Sequence, residues 1–523
     1  MFGMLDSLNH KQRLLAYSIL SGIFIGTSYI PFPPWAIFFC FVPLWLVWLE
    51  AENTKEILLS GWITQFLLTL IGFNWVAHTV HEFGHLPWVV SFIALFLFCG
   101  FANLNIPIAG FFWFKLFRHA PRNVQIASLV VLTALAERLY PMIFDWHFGY
   151  TWLWIGWPAF QVADTIGFIG LSTITIAFNG LILWSHLLWQ EKKPFYWRPF
   201  AVGVFIFGAM NALGVWRLAS LPAPDKNARI LVVQANISNS DKDFAAHGAG
   251  TRSFIINKFF ELTSRALEQQ KSKPSFAVWP ETAFPDAFYD KSLAVGSAHL
   301  LHDFLQERKL ALVTGGFGYV NQRLSNGLAA INEDGELADP VYSKTHLLAF
   351  GEYLPGAEWF PFLKNWIPEV GDFVRGQGPT VFHLNGFQLG GQICYEGLFD
   401  SFSRGLANKG AQIIVNSTND SWYPDWNEPF QHLYMTLARA IETRRPLIRA
   451  TNTGISTAIL ANGEIPALSP RGQEWAHVFA IPYTKNPIDP PFLTWGFYLF
   501  PVILGLALIV LLFWRWRNCP KPH

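Results

Sequence analysis

The chain has 523 residues, of which 52% are hydrophobic, 17% aromatic and only 14% charged, so it is too long for one ordinary domain and too apolar to be wholly soluble. Its net charge of +1 leaves no polyanion footprint, which argues against nucleic acid as a partner. The four cysteines, Cys40, Cys99, Cys394 and Cys519, suggest no disulfide framework.

In chain order, Lys11 and Arg13 precede an apolar run that superficially resembles a signal peptide, but more apolar runs follow and the first is read as a retained span. Runs long enough to cross ~30 Å of hydrocarbon as helices fall at about 14–30, 34–50, 57–77, 88–113, 123–140, 162–189, 199–217 and 493–514, which makes eight spans. Lys115, Arg118 and Arg122, then Lys192, Lys193 and Arg198, then Arg515, Arg517 and Lys521 all fall on one side if the N-terminus is cytoplasmic. Lys and Arg resist translocation, so both termini are expected in the cytoplasm and the large insert outside it. Glu137 and Arg138 lie on the fifth span, where charge is costly, and adjacent positions about 100° apart on a helix make a mutual pair awkward.

His81-Glu-Phe-Gly-His85 spells the H-E-x-x-H zinc pattern, and His78 adds an imidazole at helical spacing. Gly84 weakens a helix there and Leu86-Pro87 ends it, so the segment is read as an extracytoplasmic loop and no metal is expected.

Between the seventh and eighth spans the composition changes: residues from about 225 to 490 carry most of the charge. The expected organisation is a seven-span membrane domain over 1–222, a globular domain over 223–490, and an eighth span with its tail over 491–523. Within the globular part, 230–234, 276–279, 310–314, 387–393 and 412–416 read as buried strands, and 251–270 and 428–443 as helices, which points to a layered α/β domain.

Cys394 closes the strand-like run at 387–393 and is the lone cysteine of the globular part. A cysteine attacks a carbonyl as its thiolate and needs a base or a cation beside it. Glu281, in Trp279-Pro-Glu, can be that base, and Lys344, in Tyr342-Ser-Lys, can stabilise an oxyanion. The same residue types also serve as an inert buried thiol and solvated strand-end charges, so the three alone support acyl transfer only in general.

The surrounding blocks are more specific. Trp279-Pro-Glu281, Lys344-Thr-His-Leu-Leu-Ala-Phe-Gly-Glu-Tyr-Leu-Pro355, Cys394-Tyr-Glu396 and Asn416-Ser-Thr-Asn-Asp-Ser-Trp422 together resemble the nitrilase (carbon–nitrogen hydrolase) superfamily. With the flanking spans, and with Phe148-Gly-Tyr150, Gln431-His432 and Arg445 to Gly454, the whole chain resembles the apolipoprotein N-acyltransferases. The resemblance implies an eight-helix membrane bundle carrying a nitrilase-like αββα sandwich in a bacterial inner membrane. It implies an acyl group taken from a phospholipid onto Cys394 as a thioester and passed to the amino group of a diacylglyceryl apolipoprotein, with no cofactor. Glu281 matches the general base, Lys344 the oxyanion lysine and Cys394 the nucleophile; Glu352, Asn326, Tyr395 and Glu396 match supporting positions. The run Gln234-Ala-Asn-Ile-Ser-Asn-Ser-Asp-Lys-Asp-Phe244 departs from the family pattern in lacking a tryptophan, and the run after Pro355 in lacking an arginine.

Trp359, Phe360, Phe362, Trp366 and Ile367 form an aromatic loop that suits either a lid at the lipid interface or packing inside the domain. Trp359, Phe360, Trp366, Asn419 and Trp422 are candidate substrate contacts. The alternatives are a membrane-tethered amidase in which water replaces the amine, a membrane zinc protease, and a transporter or receptor.

Overall fold

The computed structural model describes residues 9–239, 241–242, 249–288, 291–365 and 371–518. Trp366 and Ile367 of the aromatic loop lie outside the described residues. The chain forms two compact units, one of residues 1–77, 87–220 and 494–523 and one of residues 78–86 and 221–493.

Among the described residues, ten α-helices precede the first strand: α1 (His10–Gly26), α2 (Val42–Glu50), α3 (Thr54–Gly72), α4 (Trp75–Gly84), α5 (Trp88–Phe101), α6 (Asn105–Phe117), α7 (Arg122–Leu139), α8 (Tyr150–Trp154), α9 (Ala163–Gln190) and α10 (Arg198–Ala219). Asn9 and Asn53 cap α1 and α3 by accepting the backbone N–H of Gln12 and Glu56, as short amide side chains do at helix starts. Four helical stretches among the described residues are long and apolar enough to cross a membrane, Trp88–Phe117, Pro158–Gln190, Arg198–Ala219 and Gly496–Asn518, and α3 with α4, bent by 62°, makes a fifth if counted as one.

The other expected spans fall short of that standard for physical reasons. α1 has 17 residues, α2 has nine because Pro31, Pro33 and Pro34 interrupt the run before it, and α7 carries Arg122, Glu137 and Arg138. Glu137 and Arg138 do turn apart: the Glu137 carboxylate accepts Ser172 Oγ at 2.8 and 3.0 Å, tying α7 to α9, while Arg138 lies 5.4 Å from the centre of the Phe497 ring.

The second unit contains two sheets. Strands β1 (Lys226–Gln234), β2 (Phe276–Val278), β3 (Leu312–Val320), β4 (Arg323–Ile331) and β5 (Tyr342–Ser343) precede β6 (Thr380–Leu384), β7 (Phe387–Ile393), β8 (Ile413–Thr418), β9 (Leu447–Thr451), β10 (Thr457–Ile459) and β11 (Trp475–Tyr483). One sheet has the order β11-β1-β2-β3-β4-β5 and the other β10-β9-β8-β7-β6. Each has a parallel centre, β1-β2-β3 and β7-β8-β9, flanked by antiparallel strands. β8 is buried along its whole length, as a central parallel strand covered on both faces must be.

Helices α11 (Ala249–Glu268) and α12 (Ala298–Arg308) cover the outer face of the first sheet, where Ile255, Phe259, Leu301 and Leu305 pack with Leu231, Trp279 and Leu312. α13 (Asp400–Asn408) and α14 (Glu428–Thr443) cover the second. The sheets face each other so closely that a Cβ on Gly391 would stand 3.0 Å from Leu328 of the opposite sheet, and Ser417 Oγ donates across the seam to the Trp279 carbonyl at 2.9 Å. The layers are therefore helix, sheet, sheet, helix, a nitrilase-like fold.

The five expected strands each overlap an observed one, and the two expected helices match α11 and α14. At the other end of this unit, α4 stops at Gly84 and His85 takes φ +48°. His78, His81 and Glu82 therefore lie on α4 and not in the expected loop, which begins only at His85, two residues before Pro87.

Candidate active site

Three strand ends supply the central groups. β2 ends at Val278, and Trp279-Pro280 carries the chain to Glu281, which is 6% exposed. Gly315 of β3 donates its N–H to the Pro280 carbonyl at 3.2 Å and comes so near that a Cβ there would lie 2.5 Å from Glu281 Cα. Thr282 next to it has φ +52°, and the half-buried Lys242 ammonium donates to Thr282 Oγ1 at 2.9 Å. Burial brings that Lys242 ammonium down to about 8, against the opposing charge of Glu281.

β5 delivers Lys344, whose backbone is pinned on both sides: its N–H donates to the Asn326 carbonyl and its own carbonyl accepts the Gly376 N–H, each at 2.8 Å. Its ammonium, 1% exposed, reaches Glu281 Oε1 at 3.3 Å and Glu352 Oε1 at 2.9 Å. Asn326 Nδ2 donates to the same two carboxylates at 2.6 and 2.8 Å, and the second oxygen of Glu352 accepts the Leu348 N–H at 2.9 Å. Burial opposes the Lys344 charge, but Glu281, Glu352 and the Cys394 sulfur outweigh it and hold the ammonium well above its ordinary range. This side chain is a fixed cation, suited to meet an oxyanion and unsuited to act as a base.

β7 ends at Ile393, and Cys394 opens a short 3-10 turn with φ +51°. A left-handed conformation at a non-glycine residue costs roughly 1–2 kcal/mol and marks a position held by its surroundings. Glu396 is part of that hold: one oxygen accepts the Ile393 N–H at 2.8 Å, and the other accepts Tyr342 Oη and the Thr345 N–H at 2.6 Å each and the His346 N–H at 3.1 Å. One carboxylate therefore ties the cysteine turn to both flanks of Lys344. Burial pushes the Cys394 thiol up, Glu281 and Asp420 push it further, and Lys344 with a hydrogen bond to Thr418 only partly offsets them. The sulfur is held as a thiol, so a nucleophilic attack needs a base at the moment of reaction.

The remaining candidates divide. Tyr395 is half-buried, with its ring edge-on to Phe399 at 5.0 Å. Asn419 is buried and accepts from Asn452 Nδ2 at 3.1 Å and Ser421 Oγ at 2.9 Å, which makes it a brace within the loop. Trp422 is half-buried, 4.9 Å from the Phe83 ring, and Trp426 meets His78 at 5.7 Å. Trp359 and Phe360 are 80% and 53% exposed, so the described part of the aromatic loop does not pack inside the domain.

Sequence reasoning missed a second buried charge cluster. Asp420, Glu428 and His432 hold donor atoms within 4.8 Å of one another, and Arg449 donates to Asp420 Oδ2 at 2.9 Å. Burial alone would raise the Asp420 carboxyl, but Arg449 and His432 pull it down to about 2. A charged residue inside the apolar run Leu447-Ile-Arg-Ala-Thr451 was the available signal, since a buried arginine requires anionic or polar partners.

Residues 230–479 match the family model of carbon-nitrogen hydrolases, and residues 21–181 match that of the apolipoprotein N-acyltransferase N-terminal domain. An apolipoprotein N-acyltransferase of Bdellovibrio bacteriovorus is 44% identical over 512 residues, covering 95% of this chain and 93% of its own. One of Geobacter metallireducens is 27% identical, covering 90% and 89%. Among solved structures, an amidase from Nesterenkonia sp. AN1 is 21% identical with a TM-score of 0.35, covering 51% of this chain and 95% of that one.

Proposed function

The chain belongs to the apolipoprotein N-acyltransferase family, and on that premise we propose that it transfers a fatty acyl chain from a membrane phospholipid to the α-amino group of the S-diacylglyceryl-cysteine that begins an apolipoprotein. The observation that carries this reading is the buried set of one thiol, two carboxylates and one fixed ammonium at converging strand ends.

In the first half-reaction Glu281 takes the Cys394 proton as the sulfur attacks the phospholipid ester carbonyl. Lys344 stabilises the oxyanion of the tetrahedral intermediate, and the lysophospholipid leaves as its alcohol with the proton from Glu281. In the second, the acceptor's neutral amine attacks the thioester, the thiolate departs, and the amine proton returns through Glu281 to sulfur. Glu352 and Asn326 hold the base and the ammonium at fixed separation, so little reorganisation accompanies charge development.

A bilayer-resident donor explains the apolar helices better than a soluble amide would. We read residues 1–222 as a seven-span domain, 223–490 as the catalytic domain and 491–523 as the eighth span with its tail, in a bacterial inner membrane. The basic loops support cytoplasmic termini and a catalytic domain on the opposite side. Exposed Trp359 and Phe360 suit entry of acyl chains from the interface.

The test is incubation of the purified protein with phospholipid and a diacylated lipopeptide. An acyl thioester on the Cys394 peptide followed by an N-acylated product is expected. Release of free fatty acid with no N-acylated product would instead identify a tethered hydrolase.

A further inference from the structure

Arg449 is completely buried in the middle of β9, where a guanidinium needs polar partners; Nη1 and Nη2 have them, and Nε has none among the described residues. Its position is fixed by register: Arg449 lies opposite Asn416 on β8, and Asn416 lies opposite Gln392 on β7, two residues before Cys394. Arg449 Nη1 donates to Asn416 Oδ1 at 2.8 Å, and Asn416 Nδ2 donates to the Cys394 carbonyl at 3.2 Å. A line of hydrogen bonds thus crosses three parallel strands and ends on the residue with the left-handed backbone.

We propose that Arg449 is a positioning residue for acyl transfer, which acts through the Asn416 amide to fix the Cys394 carbonyl and so hold the nucleophile turn. This rests on the reading of Cys394 as the nucleophile. A guanidinium has donors only, so it admits Asn416 with its oxygen turned inward. That choice leaves the amide nitrogen to face Cys394. Without the guanidinium, the amide is free to flip and present an acceptor to an acceptor.

The opposite end of Arg449 is anchored just as firmly. Nη2 donates to Asp420 Oδ2, whose other oxygen receives His432 Nδ1 at 3.1 Å, and His432 Nδ1 also faces Glu428 Oε1 at 3.4 Å. Arg449 and His432 therefore alternate with Asp420 and Glu428, with Thr436 Oγ1 3.4 Å from Arg449 and Thr418 Oγ1 3.4 Å from Asp420. Gly454 closes the site: a Cβ there would stand 2.1 Å from Asp420 Oδ2.

The test uses the full chain in lipid nanodiscs and a phospholipid with a labelled acyl chain, reading the rate and final amount of label on Cys394. Asn416→Asp keeps an acceptor for Arg449 but removes the donor to Cys394; Arg449→Lys keeps charge but cannot bridge Asn416 and Asp420 together. Each is expected to slow thioester formation at saturating phospholipid by about tenfold, with the half-saturating lipid concentration unchanged. The double variant is expected to be no slower than the slower single one. A merely structural arginine would reduce the amount of labelled protein and leave the rate per labelled molecule unchanged.

Wild-type rates per labelled molecule in Asn416→Asp, or multiplying losses in the double variant, would overturn the proposal. Asn416→Asp decides alone if Arg449→Lys fails to fold. A wild-type protein that never labels Cys394 would overturn the nucleophile assignment instead, which separates the two failures.

Discussion

The Glu396 carboxylate accepts the Thr345 N–H at 2.6 Å, so the second residue after the cysteine holds the residue next to the lysine. Three donors converge on one of its oxygens and the Ile393 N–H on the other. Glu396→Gln has a single oxygen for both groups, and either amide orientation confronts donor with donor. The thioester-forming rate should fall by about tenfold or more, at roughly 1.4 kcal/mol per factor of ten. A stopped assay on labelled phospholipid reads this, and a rate within about twofold of the wild type would contradict the brace.

Burial and the charge of Glu281 push the Cys394 thiol up, so the proposed mechanism requires Glu281 as its base. Glu281→Gln should slow acylation by at least about a hundredfold, and slow alkylation of the Cys394 thiol with it, since both need the thiolate. Lys344→Met should slow it by about a hundredfold or more and also lower stability, since Glu281 and Glu352 would be left buried without their cation. Mass spectrometry of the Cys394 peptide and a thermal melt together separate the two effects.

Gly315→Ala tests the seating of the base without touching any polar group. The added methyl meets Glu281 Cα at 2.5 Å and the Thr282 nitrogen at 2.6 Å, both backbone atoms that cannot swing aside. The expected result is a loss of kcat by about tenfold or more from a displacement of under about an ångström. A crystal structure or cryo-EM map of the variant should show the 280–282 turn shifted; an unshifted turn with full activity would refute the close approach.

Asp420 predicts a particular acid sensitivity. Its folded carboxyl is held at about 2, below its unfolded value, so the folded state binds fewer protons as the pH falls below about 4. The stability it supplies is therefore complete above about pH 4 and is lost as pH falls through about 2. Asp420→Asn should flatten this part of the stability profile and cost about 3 kcal/mol at neutral pH, because Arg449 and His432 lose their anion. Denaturant melts from neutral pH downward measure both.

Trp359→Glu and Phe360→Glu probe the lipid face. Both side chains are largely in solvent, so folding stability should change by less than about 0.5 kcal/mol. Half-saturation by phospholipid vesicles should shift upward several-fold, with kcat for a soluble short-chain donor unchanged; equal behaviour toward both donors would remove the loop from lipid capture.

What the chain revealed in advance follows from which residues have local consequences. Cys394 after an apolar strand, Pro280 before Glu281 and the Tyr342-Ser-Lys run are short-range signals, and the strands bearing them are apolar enough to be read directly. The partners of Arg449 were not legible, because Asn416, Asp420 and His432 meet it only through strand register and a helix docked from elsewhere. β4 was missed for a related reason: Ser325-Asn-Gly-Leu-Ala-Ala looks like a turn followed by a helix former, yet pairing with β3 makes it a strand and aims Asn326 at Glu281. Helix length was less legible than hydropathy, because the prolines before α2 leave it nine residues of an apolar run nearly twice as long.

Glu281 follows a strand of one sheet and Cys394 a strand of the other, with Gly391 and Phe382 of the second meeting Leu328 of the first. A slip of one sheet past the other by a single residue, about 3.3 Å, would part these two side chains while leaving every ladder intact. Tolerance to change at this seam is accordingly set by turnover before it is set by melting: a methyl added at Gly391 should yield a well-folded, inert protein, and random mutagenesis scored by survival will find dead alleles far from any group that handles a proton.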